Sequence, residues 1–215
     1  MPTRAKRKLY FLPGTMCDAS LWHKVWPLLG EDVECVHLSI PKCASLKDMA
    51  EALRGEFGTE PVSLVGFSLG GYLAAYYASL YPESLAGLMI IANTPCALPE
   101  TELSQRRQII AWLQHAQYKG AIPARIQQLL GGKSKNDREM IQHIQKMERE
   151  VGLEQLLPQL EATSVRADLK DFFHQASIPT QFIFAEEDVL VSSNWLHGIS
   201  NPKVQITNLG AFGHM

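Results

Sequence analysis

Val62-Ser63-Leu64-Val65-Gly66-Phe67-Ser68-Leu69-Gly70-Gly71 decides how the rest of the chain is read. It opens as an apolar run of strand length, and from Tyr72 to Tyr81 the apolar residues continue at helical spacing. Between strand and helix stands a serine with glycines two positions before and after it. A turn this tight brings backbone against backbone, and a Cβ at position 66 or 70 would clash there. The serine is held at the carboxyl end of a strand and at a helix N-terminus, where free N–H groups and the helix dipole favour developing negative charge. Gly-x-Ser-x-Gly alone arises by chance; its strand–turn–helix setting gives it meaning. The competing account is a glycine-rich turn with a capping serine.

Five further apolar runs flank it, at 8–12, 33–38, 86–92, 181–185 and 204–209. Each is short, near-continuous rather than alternating, and bounded by Gly, Pro or Asn, as strands covered on both faces are. Helical patterns fall between them at 18–29, 46–57 and 69–81, the first with Asp18 as its cap. This alternation predicts an α/β fold: a mostly parallel sheet of about six strands with helices on both faces. From 94 to 177 no strand signal appears. Helical patterns run at 102–118, 122–130, 137–151 and 153–162, with Asn136 as a cap and Glu139 three residues on. The expected organisation is a core of 1–93 and 178–215 with a helical lid, 94–177, inserted before the fifth strand.

A serine nucleophile needs a base, and a base needs an acid to fix its tautomer. Gly210-Ala211-Phe212-Gly213-His214 follows the last strand, so His214 can reach the same sheet edge. Ala185-Glu186-Glu187-Asp188 follows the fifth strand, and Asp188 stands a tight turn beyond its end; Glu186 and Glu187 read as a solvated acidic turn. The order Ser68, Asp188, His214 then assembles a catalytic triad. His23, His37, His115, His143, His174 and His197 fall in helices, in a strand or in the inserted segment and read as surface or core residues. The oxyanion needs two backbone donors: the N–H of Leu69, and one from the loop Pro13-Gly14-Thr15-Met16, with Thr15 favoured and Met16 as the alternative.

These motifs together resemble the α/β-hydrolase superfamily, in its lid-bearing branch of esterases and meta-cleavage-product hydrolases. Leu12-Pro13-Gly14 with Trp22 downstream, Gly66 to Gly71, Tyr81-Pro82-Glu83, Glu187-Asp188 and Gly213-His214 carry the resemblance over most of the chain. It implies a serine carboxylesterase-like hydrolase that cleaves an ester or thioester through an acyl-enzyme and needs no metal or organic cofactor. C–C bond hydrolysis of the meta-cleavage type, or a non-catalytic scaffold that binds a ligand or partner, stays open beside it. Three features depart from the family: Pro13-Gly14 replaces His-Gly, Ser39 to Ser45 replaces a glycine-containing loop, and the usual N-terminal hairpin is absent. The family also places a helix after its histidine, where here Met215 stands alone. Either the chain is cut short after His214 or the histidine is held loosely.

Composition bounds the partners. The 215 residues are 46% hydrophobic and 20% charged, with 20 basic and 22 acidic side chains for a net charge of −2. That excludes a disordered chain and gives no footprint for nucleic acid. There is no apolar run long enough to span a membrane, and the basic stretch 1–8 lacks a signal-peptide core. The four cysteines, Cys17, Cys35, Cys43 and Cys96, show no metal or CxxC spacing, which predicts reduced thiols in a cytoplasmic protein. Within 104–149, nine basic residues (Arg106, Arg107, Lys119, Arg125, Lys133, Lys135, Arg138, Lys146, Arg149) face three acids, a local charge of about +6. This reads either as the solvated face of amphipathic helices or as a dock for an acidic partner. Esterases of biotin synthesis, which cleave the methyl ester of a pimeloyl acyl carrier protein, belong to the lid-bearing group and have a similar Asn93-Thr94-Pro95-Cys96 entry to the lid. The resemblance thus implies an acyl ester substrate and a carrier protein as partner. Met16 and Trp112 are candidate substrate contacts, with Leu113, Ile126, Leu129 and Leu130 as apolar residues that could line an acyl pocket.

Overall fold

The apolar runs become six parallel strands: β1 (Arg7–Leu12), β2 (Val33–His37), β3 (Val62–Phe67), β4 (Leu85–Ile91), β5 (Thr180–Phe184) and β6 (Val204–Asn208). In the computed structural model, which describes residues 6–115 and 117–215, they form one sheet in the order β2-β1-β3-β4-β5-β6. Residues 1–5 of the basic N-terminal stretch and Ala116 lie outside the described residues, as does the side chain of Lys133. Register aligns the ends that matter: Leu12 pairs with Gly66, Phe67 with Ile91, and Ile91 with Ile183.

Side chains alternate between the two faces. Leu12, Leu64, Leu88, Ile90, Phe182 and Phe184 point into the larger core beneath α1 (Leu46–Glu56), α2 (Leu69–Leu80), α7 (Lys170–Gln175) and α8 (Ser193–His197). Fully burying a side chain of this size contributes roughly 1.5–3 kcal/mol. Phe11, Val65 and Phe67 point the other way, against Trp22 and Trp26, with Phe11 and Trp22 ring centroids 5.1 Å apart. Those tryptophans belong to two short 3-10 turns, Ala19–Trp22 and Trp26–Leu28, rather than to the single helix expected over 18–29. Asp18 satisfies the first turn by accepting from the Ser20 N–H at 2.8 Å, and Pro27, lacking an N–H, bars a continuous helix through the second.

Five α-helices lie between β4 and β5: α3 (Glu100–Leu113), α4 (Pro123–Leu130), α5 (Arg138–Val151), α6 (Leu156–Ala162) and α7. Ile144 and Met147 of α5 bury against Ile126 and Leu130 of α4. The cap of α5 is Asp137, which accepts from Glu139 N and Met140 N at 3.0 and 3.1 Å, and not Asn136. α7 falls within 94–177, yet its Phe173 packs on Phe182 of β5 at 5.0 Å between centroids, so the end of that stretch belongs to the sheet layer. Among the described residues no helix is long and apolar enough to cross a membrane.

Candidate active site

Each proposed side chain emerges where a strand ends. Ser68 follows β3 and adopts φ 51°, ψ −116°, a conformation L-residues rarely take. Its N–H donates to Ile91 O at 2.9 Å, and the Gly70 N–H donates to Pro13 O at 3.0 Å. A Cβ on Gly66 would run into the Gly70 carbonyl, and one on Gly70 into the carbonyls of Leu12 and Pro13. The glycines therefore permit the close approach of β1, β3 and α2 that raises Ser68 above the sheet.

Asp188 stands four residues beyond β5 and His214 six beyond β6, both buried. Ser68 Oγ lies 2.8 Å from His214 Nε2, and His214 Nδ1 lies 2.8 Å from Asp188 Oδ2. The second carboxylate oxygen, Oδ1, accepts from Leu190 N at 2.9 Å, which fixes the plane of the group. With a carboxylate at Nδ1, the network assigns the proton to Nδ1 and leaves Nε2 to accept from the serine hydroxyl. Among the described residues no other imidazole hydrogen-bonds Ser68; His143 instead meets Ser20 Oγ at 3.3 Å.

The loop carrying His214 is firmly held, contrary to the expectation of looseness. A helix C-terminus leaves carbonyls without intrahelical partners, and those of α4 are taken by this loop. Gly213 N donates to Leu130 O at 3.1 Å and His214 N to Leu129 O at 2.6 Å. Glu187, read from sequence as a solvated acid, braces the same junction: its Oε2 accepts from Gly132 N at 2.6 Å while its N–H donates to Phe212 O at 3.0 Å.

The loop after β1 abuts the serine, since a Cβ built on Gly14 would stand 3.3 Å from that of Ser68. Met16 is buried at φ 57°, and its N–H donates to Gln159 Oε1 of α6 at 3.0 Å. That occupies the alternative oxyanion donor. The Thr15 and Leu69 N–H groups have no protein acceptor among the described residues. Gln159 carries no sequence signature and was not anticipated; its partner is a backbone N–H 143 positions away.

Trp112 is not in the site. It is 53% exposed on α3 and lines none of the cavities described here. Ile126 and Leu130, expected at an acyl pocket, are spent on packing α4 against α5. A cavity of about 390 Å³ has His214, Phe67, Ile91, Ile183 and Phe212 in its wall, but Ser68 does not line it. A second, of about 260 Å³, lies between Cys17-Asp18, the 39–43 loop and Gln155 to Gln159. Of the basic residues on the inserted helices, Arg106 turns inward to Glu102 at 3.2 Å, and burial holds its pKa below the usual arginine value. Arg125, Arg138 and Arg149 are exposed.

Comparison with known proteins agrees with this architecture. A family described as "alpha/beta hydrolase fold" matches residues 39–194. The biotin biosynthesis bifunctional protein BioHC of Teredinibacter turnerae is 30% identical over 44% of this chain, a segment spanning only 18% of that relative. A pimeloyl-[acyl-carrier protein] methyl ester esterase of Wigglesworthia glossinidia brevipalpis is 26% identical over 85% of this chain and 75% of its own. Among solved structures, a thermophilic esterase from Thermogutta terrifontis superposes with a TM-score of 0.83 at 22% identity, covering 99% of this chain and 84% of the other. With a family match over well more than half its length, the chain belongs to the α/β-hydrolase fold family.

Proposed function

We propose that the protein is a serine hydrolase of carboxylic esters or thioesters, with Ser68 as nucleophile, His214 as base and Asp188 as its orienting acid. The observation that carries this reading is the continuous hydrogen-bonded path Ser68 Oγ–His214–Asp188, 2.8 Å at each step. Ser68 attacks the acyl carbonyl and its proton passes to His214 Nε2. Asp188 stabilises the imidazolium formed, and the Thr15 and Leu69 N–H groups receive the oxyanion. His214 then protonates the departing alcohol or thiol. Water, deprotonated by the same nitrogen, releases the acid and restores the serine.

The substrate we favour is the methyl ester of an acyl group carried on an acidic carrier protein. Support comes from the relatives' names and from the exposed Arg125, Arg138 and Arg149 on the inserted helices, which act as a lid in this reading. The test offers wild type and Ser68→Ala the same monomethyl acyl ester twice, once on a carrier protein and once free. Wild type should hydrolyse both, the carried ester with the lower KM, and Ser68→Ala neither. A fluorophosphonate probe should label wild type alone. Turnover surviving in Ser68→Ala would refute the nucleophile; equal KM values would refute the carrier.

A further inference from the structure

We infer that Gln159 is a positioning residue for the oxyanion loop, an inference that rests on the reading of Ser68 as nucleophile. The loop from Pro13 to Cys17 is held by four hydrogen bonds. Pro13 O accepts from Gly70 N at 3.0 Å, Gly14 O from Cys17 N at 3.2 Å, and Thr15 O from the Cys17 thiol at 3.4 Å. The Met16 N–H goes to Gln159 Oε1 at 3.0 Å. Among the loop's backbone donors the Gly14 and Thr15 N–H groups have no partner among the described residues, and the oxyanion reading uses that of Thr15, on the loop that abuts Ser68.

Three of these four bonds are made by the loop itself or by the elbow glycine; the fourth comes from α6. It falls on the one residue of the loop that resists its conformation. Met16 holds φ 57° while 3% exposed, so its N–H would be buried without a partner if Gln159 withdrew, and the residue would be free to relax to negative φ. Relaxation at Met16 turns the Thr15–Met16 peptide and, through the dihedrals of Thr15, displaces the adjoining Gly14–Thr15 peptide that carries the Thr15 N–H. The backbone at Gln159 is itself tied down, since its main-chain carbonyl accepts from Thr163 Oγ1 at 2.7 Å across the last turn of α6. The inserted helices are thereby tied to the oxyanion loop by one side chain, and displacing α6 disarms the donor without touching the triad.

The experiment compares wild type, Gln159→Met, Gln159→Asn and Gln159→Glu on a p-nitrophenyl acyl ester, with Ser68→Ala as control. Methionine matches the glutamine in shape but offers no oxygen, asparagine is too short to reach, and glutamate keeps the acceptor. Loss of oxyanion alignment should lower kcat by about 10- to 100-fold in the Met and Asn variants with KM within twofold, and the glutamate variant should stay within a few-fold of wild type. Binding of an alkylboronic acid, whose tetrahedral adduct with Ser68 needs the same donor, should weaken by the same factor as kcat. Wild-type kcat in both short-of-acceptor variants, or equal loss in Gln159→Glu, overturns the inference. Loss confined to melting temperature, with kcat and boronate affinity unchanged, overturns it too, because it marks a merely structural contact. If wild type shows no Ser68-dependent turnover, the hydrolase reading itself fails and this inference falls with it.

Discussion

Ser68 sits where an L-amino acid is least at ease, at φ 51° and ψ −116°. Residues in such regions cost of order 1–3 kcal/mol and persist only where their surroundings over-determine them. Here the surroundings are the Gly66–Gly70 approach and the bond from Ser68 N to Ile91 O. Two variants that both lack the hydroxyl separate strain from chemistry. Ser68→Ala keeps the Cβ and the strain, whereas Ser68→Gly loses both. We expect Ser68→Gly to be the more stable by about 1–2 kcal/mol, a difference of a few degrees in melting temperature followed by circular dichroism. The opposite order would mean that the turn is not strained. At this scale the sequence was most informative where a residue follows a strand, as Ser68, Asp188 and His214 do. It was silent on Gln159 because a side chain that meets a distant backbone N–H leaves no spacing to read. Trp112 misled for the reverse reason: a large apolar residue on a helix face says nothing about which face is buried.

Among the elements, α4 has an influence out of proportion to its length. Its terminal carbonyls hold the histidine loop, and they do so at contact distance: a Cβ on Gly213 would run into the Leu130 carbonyl. Gly213→Ala should therefore push the loop away from α4 and draw His214 off Ser68. Ester turnover should fall by about 100-fold or more while the far-ultraviolet spectrum and the sheet remain intact. Turnover near wild type in that variant would show that α4 does not place the base. None of this was legible beforehand, since a contact between a helix end and a loop some 80 residues later has no local pattern. The elements themselves were largely legible. β3, α1 and α2 fall within a residue or so of the expected bounds because an apolar run marks the strand and apolar residues at helical spacing mark the helices. The segment 18–29 was misread because the spacing of Leu21, Trp22, Val25 and Trp26 is helical, while Pro27 and the Asp18–Ser20 bonds divide it into two turns.

At the scale of the whole molecule, the two sides of the sheet are unequally dressed. Four helices cover one side. The other is covered by Trp22 and Trp26 over β1 and β3, and toward β5 and β6 a cavity of about 390 Å³ separates Ile91, Ile183 and Phe212 from Met140, His143 and Met147 of α5. Phe212 and Leu209 at its edge are 49% and 53% exposed. The six-strand parallel layer was readable from its apolar runs, but this asymmetry was not, because runs of Val, Ile and Leu look alike whether a packed helix or a cavity lies above them. Native protein should brighten anilinonaphthalene sulfonate well below its melting transition, and Phe212→Ser should dim that signal; a dark native state would mean the cavity is closed.

That half-clad side has a practical corollary for handling. Wet apolar area favours sticking between molecules before any of them unravels, and excluded salts such as ammonium sulfate strengthen it. Turbidity should thus track protein concentration and sulfate more closely than temperature, and a mild detergent, not a stabilising mutation, is the natural remedy.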